Sequence, residues 1–346
     1  MARSTGVLFA CVRTQTILSA MIDSPRLPIL GPLDRGTTQR HLVRLPGPDL
    51  GDEPRSVITV TGSQPGPVLF INAGVHGGEY PAIEAVIRLG RTLDPAAIAG
   101  TVILMPVLNL PAFRTRTPFV CPIDNVNPNR VFPGDPNGSY SEQMVHALIN
   151  EFVAHADAWL DLHGGDIPEA LVPFSICRGG SEAVDVKSKE LALAFGLPYL
   201  LAVNRPVQLA KGSSSYVAGA ERGVPSVLAE AGGVGQLQED AVELLVAGVH
   251  RVMAHLGMTK TMPPPAQDPA VLGSFEWLYA KHAGMFYPHI AVGDLIETGQ
   301  TVGAIRDLFG DELETVKAPA TGRVLFLTIN PSVLENGILM GIGVAE

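Results

Sequence analysis

Apolar residues along this chain follow two rhythms. Short aliphatic runs ending in Gly, Asn or Pro recur from Ser56 onward: "SVITVTG", "PVLFINAG", "TVILMPVLN", "AWLDLHGG", "PYLLAV" and "PSVLAEAGG". Their length and β-branched content predict buried strands. Between several of them the spacing turns helical, in "YPAIEAVIRLGRTL", "YSEQMVHALINEFVAHA", "EAVDVKSKELALAFG" and "SSSYVAGAERG". Strands taking turns with amphipathic helices predict an α/β sheet covered on both faces. "EDAVELLVAGVHRVMAHLG" reads as the helix that closes this unit, and "TMPPPAQDP" as a proline-rich linker. Beyond it the helical period disappears. "GMFYPHIAVGDLIETGQTVGAI" and "ETVKAPATGRVLFLTI" read as a small all-β barrel or sandwich. The expected organisation is an arm or edge element over 1–54, the α/β unit over 55–260, the linker over 261–269 and the β-domain over 270–346.

Composition narrows the classes. A chain of 346 residues with 46% hydrophobic and 6% aromatic residues can fill a large aliphatic core. The formal charge of −10 argues against nucleic acid, which needs concentrated Lys and Arg. Cys11, Cys121 and Cys177 lie far apart with no C-x-x-C pair, which suggests reduced thiols and a cytoplasmic home. No run of 18 apolar residues exists to form a spanning helix. The start, "RSTGVLFACVRTQTILSAM", is faintly like an export signal, but Arg13 and Thr-Gln-Thr interrupt its apolar region. An over-long start, with Met21 as the true first residue, is the competing reading.

The chemistry collects where strands end. "NAGVHGGE" places His76 and Glu79 at the C-terminal edge of the sheet, where open α/β sheets bind ligands. A spacing of three lets both side chains face one point if a helix starts at the glycines. Imidazole and carboxylate are both zinc ligands, and a lone H-x-x-E is a weak signal. "AWLDLHGG" adds His163 at the end of a second strand, completing a His₂Glu set with a fourth position left for water, the pattern of catalytic zinc. Asp161, two residues earlier on the same strand face, could hydrogen-bond a ligating imidazole or simply cap a loop. Glu230 ends the aliphatic run "VPSVLAEAGG", where a buried carboxylate needs a partner; a general base is one reading and a helix N-terminal turn the other. The polar loop "NLPAFRTRTPFVCPIDNVNPNRVFPG" carries Arg114, Arg116, Asn129 and Arg130, and a guanidinium there could hold a substrate carboxylate through two parallel hydrogen bonds.

Together these stretches resemble the succinylglutamate desuccinylase/aspartoacylase family, a branch of the zinc-carboxypeptidase fold. The likeness runs over about 55–255 and the β-domain, in the order H-x-x-E at His76 and Glu79, R-x-P at Arg116, N-R-x-F-P-G from Asn129, D-L-H at Asp161 to His163, and Glu-Ala-Gly at Glu230. By that resemblance His76, Glu79 and His163 bind one Zn²⁺ per chain and Glu230 is the base. Asn129 and Arg130 would bind the substrate carboxylate, and Arg116 would assist at the carbonyl or carboxylate. The fold implied is a mixed sheet with helices on both faces plus a C-terminal barrel-sandwich domain, and the activity implied is cleavage of small N-acyl amino acids. Pro128 departs from the leucine common before Asn-Arg in the family.

Several other features read as structure. Lys317 precedes "AP..G" as in a biotinyl or lipoyl carrier, but the hairpin that would hold a modified lysine is "RDLFGDEL", which has none. His146, His155, His282 and His289 fall among apolar or barrel positions, and Ser213 to Ser215 are placed to cap a helix. A serine esterase is excluded because no G-x-S-x-G elbow occurs. A zinc carboxypeptidase acting on peptides and a non-catalytic metal-dependent binding protein stay open, as does homo-oligomerisation; no nucleic-acid or membrane partner is expected.

Overall fold

In a computed structural model the described residues are 26–203, 212–261, 263–264 and 268–345. The N-terminal segment with Cys11 and Met21 lies outside them, as do parts of the linker.

A short pair, β1 (Arg26–Leu27) and β2 (Gly31–Pro32), precedes the main sheet. Then follow β3 (Thr37–Val43), β4 (Arg55–Thr61), β5 (Gln64–Asn72), α1 (Tyr80–Thr92), β6 (Ala99–Met105), α2 (Leu110–Thr115), α3 (Tyr140–Glu151), β7 (Ala158–His163), β8 (Glu169–Leu171) and β9 (Phe174–Arg178). Next come α4 (Ala183–Phe195), β10 (Tyr199–Val203), α5 (Ser215–Glu221), β11 (Ser226–Glu230) and α6 (Glu239–His255). The C-terminal strands are β12 (Ala270–Tyr279), β13 (Gly284–Pro288), β14 (Leu295–Ile296), β15 (Thr301–Arg306), β16 (Glu312–Lys317), β17 (Gly322–Thr328), β18 (Ser332–Val333) and β19 (Ile338–Ala345).

The main sheet has the order β14-β17-β19-β12-β10-β9-β11-β7-β5-β6-β4-β3. Its centre is parallel: β11 on β7, β7 on β5 and β5 on β6. These strands therefore deliver their C-terminal ends to one edge. Strand alternation decides what each face receives. Leu69, Ile71, Val102, Leu104, Leu160 and Leu162 pack with α1, α4 and α6 on one face. Phe70, Ile103, Met105 and Trp159 pack with α3 on the other. Truncating any of these fully buried aliphatic side chains to Ala would cost about 2–5 kcal/mol.

Each long aliphatic run and each helical stretch of the sequence became the expected element, with bounds shifted by a few residues. The stretch predicted as one helix over 140–156 stops at Glu151 and continues as a single 3₁₀ turn, Val153–His155. Strands β8 and β9 and helix α2 carry too few periodic positions to be seen in advance.

The C-terminal strands form two sheets around their own core of Phe286, Val302, Ile305, Val316, Val324 and Ile342. One of these sheets is continuous with the central one. β12 lies parallel to β10, Tyr199 opposite Ala270, and β17 runs antiparallel to β8, Thr328 opposite Glu169. Lys317 is an exposed residue at the end of β16, paired with Thr301. No helix of the described residues is long and apolar enough to cross a membrane.

Candidate metal centre and active site

Strand β5 ends at Asn72, and the turn that follows is built for close approach. Gly74 has φ +64°, a conformation that favours glycine, and a Cβ there would meet Val107 Cα at 2.9 Å. At Gly77 a Cβ would meet Phe113 N at 2.2 Å, so the start of α2 packs directly on the segment that carries His76. Asn109 ties the two together: its Oδ1 accepts from Ala112 N, capping α2, and its Nδ2 donates to Val75 O. Glu79 is the N-cap residue of α1 but does not cap it with its side chain. That carboxylate points into the site instead.

There it meets both histidines. His76 Nδ1 lies 2.7 Å from Glu79 Oε1, and His163 Nδ1 lies 2.9 Å from Glu79 Oε2. Candidate ligand atoms of all three residues fall within 4.8 Å of one another, and all three residues are buried. The far nitrogens are held from behind. Asn127 Oδ1, which also accepts from Asn129 N, lies 3.0 Å from His76 Nε2, and Asp161 Oδ2 lies 2.9 Å from His163 Nε2. Both Nδ1 atoms thus turn toward the same carboxylate. Asp161 is thus hydrogen-bonded to a histidine.

Glu230 ends β11 directly opposite His163 in the β7–β11 register. Its Oε2 is buried with no hydrogen-bond partner among the described residues. Burial pushes its carboxyl well above the ordinary range; His163 opposes this, while Glu79, Glu169 and Asp161 add to it. For Glu79 burial acts upward too, but His163 and His76 outweigh it and hold the carboxyl down at about 2. Burial likewise depresses both imidazoles and is overcome: by Glu79 at His76, and by Asp161 and Glu79 at His163.

Two acids were not singled out from the sequence. Asp166 is fully buried, and its carboxylate accepts from Phe119 N and Ile167 N, both at 2.7 Å. Glu169, on β8, has a carboxyl pushed up to about 7 by burial and by Glu79, against His76. Neither has a spacing that marks it, since "GGDIPEAL" reads as an ordinary loop. Asn127 escaped for the same reason.

Around this centre the polar loop supplies the rim. Arg130 is half-buried, with Nη1 donating to Asn129 O at 2.9 Å and its guanidinium carbon 5.9 Å from the Trp277 ring centre, a contact made across to β12. Burial lowers its pKa, and Glu169 is the first of the groups acting against that. Asn129 is buried, and its Oδ1 accepts from Ser215 N at 2.9 Å. Ser214 holds the N-cap position of α5 but makes no side-chain cap, so Asn129 caps the helix expected to be capped by Ser213 to Ser215. Arg116 is exposed at the C-terminal end of α2, and the structure does not bring it to the cluster. Arg114 is taken up in an ion pair with Glu53.

The residues present fit a divalent cation. The Nδ1 of His163 and the Oε2 of Glu79 lie at contact distance yet lack the alignment of a hydrogen bond, as expected of atoms aimed at a common point. Glu79, Asp161, Asp166, Glu169 and Glu230 crowd two imidazoles, an excess of acid that a cation would offset. A His₂Glu donor set is the zinc type.

A mixed α/β sheet with a buried His-Glu-His group at the C-terminal edge of its parallel strands defines the zinc-carboxypeptidase-like fold class. Within that class, the pattern of the succinylglutamate desuccinylase/aspartoacylase catalytic domain matches residues 65–256, and the chain belongs to this family. It is 28% identical to the N-alpha-acetyl-L-2,4-diaminobutyric acid deacetylase of Halomonas elongata over 256 residues, 72% of this chain and 74% of that protein. A succinylglutamate desuccinylase/aspartoacylase structure from Rhodobacter sphaeroides superposes with TM-score 0.80 at 26% identity, covering 91% of this chain and 98% of that one. The ectoine utilization protein EutE (DoeB) of Ruegeria pomeroyi shares the fold with TM-score 0.81 at 23% identity, over 91% of this chain and 97% of that one. Membership makes the protein a hydrolase acting on amide bonds.

Proposed function

We propose that this protein is a zinc-dependent deacylase of small N-acyl amino acids, held in the cytoplasm. The observation that carries the reading is the placement of Glu230: a carboxylate with a buried, unpartnered oxygen, in register with His163 and beside the His76–Glu79–His163 group. His76, Glu79 and His163 would hold the ion through Nδ1, a carboxylate oxygen and Nδ1. Bound there, Zn²⁺ would polarise the acyl carbonyl and acidify water. Glu230 takes the proton of the attacking water and returns it to the leaving nitrogen. A binding protein would have no use for such a base.

Arg130 and the Nδ2 of Asn129 are assigned to the substrate's α-carboxylate, with Trp277 shielding the guanidinium from water. Arg116, exposed at the end of α2, is the candidate to assist at the carbonyl or carboxylate. Glu169 adds an acidic pole near Arg130, and a bound ammonium would hold its carboxyl ionised against the burial that raises it to about 7. An amino acid bearing a second, cationic amine would engage both poles, and the Halomonas relative is named for such a diamino acid.

The test is metal analysis joined to a substrate screen. About one zinc per chain is expected, with hydrolysis of N-acetyl amino acids lost on chelation and restored by zinc. N-acetyl-2,4-diaminobutyrate should be cleaved faster than its uncharged isostere N-acetylnorvaline. Preference for dipeptides would make the protein a carboxypeptidase, and unchanged hydrolysis after chelation would overturn the zinc reading.

A further inference from the structure

The Asp161–His163 contact is the outer end of a longer chain of hydrogen bonds. Phe70 and Asn72 share one face of β5, and Trp159, Asp161 and His163 share the same face of β7. The parallel register sets Phe70 opposite Trp159 and Asn72 opposite Asp161. Trp159 Nε1 donates to Asn72 Oδ1 at 2.5 Å, Asn72 Nδ2 donates to Asp161 Oδ1 at 2.7 Å, and Asp161 Oδ2 lies 2.9 Å from His163 Nε2. Trp159, Asn72 and His163 are 0% exposed and Asp161 is 1% exposed, so water does not compete along the chain.

Donor and acceptor types leave this chain one direction. An indole N–H can only donate, so the Asn72 oxygen must face Trp159 and its amide nitrogen must face Asp161. Turning the amide over would set two donors against each other at Trp159 and an oxygen against a carboxylate at Asp161. With Asp161 accepting on both oxygens, His163 must carry its proton on Nε2. Nδ1 is then the nitrogen left to serve a metal, 2.9 Å from Glu79 Oε2 and grouped with His76.

We infer that Asn72, anchored by the Trp159 indole, is a positioning residue that fixes the tautomer and orientation of His163 and so sets metal affinity. This rests on the reading of His163 as a metal ligand. The buried pair acts through Asp161 and touches neither metal nor substrate.

Zinc affinity of the full-length protein, measured against a chromophoric chelator, reads this directly. Asn72→Leu should weaken zinc binding roughly 10–100-fold, the usual loss when a ligand's hydrogen-bonding support is removed. Trp159→Phe, which deletes the indole N–H and keeps most of the ring packing, should weaken it less and in the same direction. Added to Asp161→Asn, either change should cost little more, because all act on one chain. A merely structural role predicts instead that losses multiply, or that stability falls while zinc affinity holds; either result overturns the inference. If Asn72→Leu does not fold, Trp159→Phe and its double variant with Asp161→Asn decide the matter. A wild-type protein that takes up no zinc would instead overturn the metal reading, and this inference with it. Wild-type zinc binding with unaffected Asn72→Leu and Trp159→Phe would sink the inference alone.

Discussion

Burial raises the carboxyls of both Glu230 and Glu169 above the ordinary range, and neighbouring acids add to it. At Glu230 burial dominates, and the neighbouring acids Glu79, Glu169 and Asp161 reinforce it. Glu230→Gln keeps the shape and removes the base. Zinc content should stay the same while kcat falls roughly 10²–10⁴-fold and KM changes little. Atomic absorption with steady-state kinetics checks both, and a variant stripped of zinc would make Glu230 a ligand. At Glu169 the carboxyl rises from 4.5 to about 7 in the folded protein. Between those values the folded state binds the extra proton, so this residue's contribution is full below 4.5 and is lost as pH rises toward 7. Metal-free Glu169→Gln protein should therefore gain stability relative to wild type as pH climbs through that window. Urea titrations at pH 5 and pH 7.5 measure the difference, and a constant difference would mean that Glu169 is not the titrating group.

Elements position the site through contacts that only small residues permit. The ends of β5, β7 and β11 carry His76 nearby, His163 and Glu230, while α2 presses on the segment between His76 and Glu79 at Gly77. A methyl group there must displace the backbone at Ala112 and Phe113. Gly77→Ala should cost about 1–3 kcal/mol through overpacking and lower zinc affinity as His76 and Glu79 shift apart. Thermal unfolding together with chelator competition would detect it, and normal affinity would show that α2 yields without moving the ligands. The H-x-x-E pair, D-L-H and Glu230 were legible in the sequence because each interrupts or ends an aliphatic run, where a charged group stands out. Asn72 sat in plain view at the end of "PVLFIN" but carries no signal by itself, since an asparagine ending a strand is ordinary turn chemistry.

On the scale of the whole molecule, the C-terminal strands are bonded into the same sheet as the site. β12 covers the edge of β10, and Phe174, Leu201, Leu272 and Leu325 form one buried cluster across the two halves. β17 pairs with β8 beside Glu169, and Trp277 of β12 lies against Arg130. Ending the chain after residue 262 would open the β10 edge and uncover that cluster. The shortened protein should aggregate or elute as higher oligomers in size-exclusion chromatography. A monomeric, soluble fragment with normal kinetics would mean that the C-terminal strands contribute nothing to the site.

Local pattern determined the strands and helices, because burial on one face or two imposes a period that a short window displays. It also determined which charged residues end at the sheet's edge, the two histidines and two glutamates of the proposed chemistry. What only the tertiary structure decided is pairing at a distance. That Asn72 stands opposite Asp161, that Asn127 backs His76, that Glu169 comes near Glu79 and His76, and that β12 joins β10 all depend on register between segments far apart in the chain. Register is settled by the summed packing of both sheet faces, which no single stretch of sequence contains.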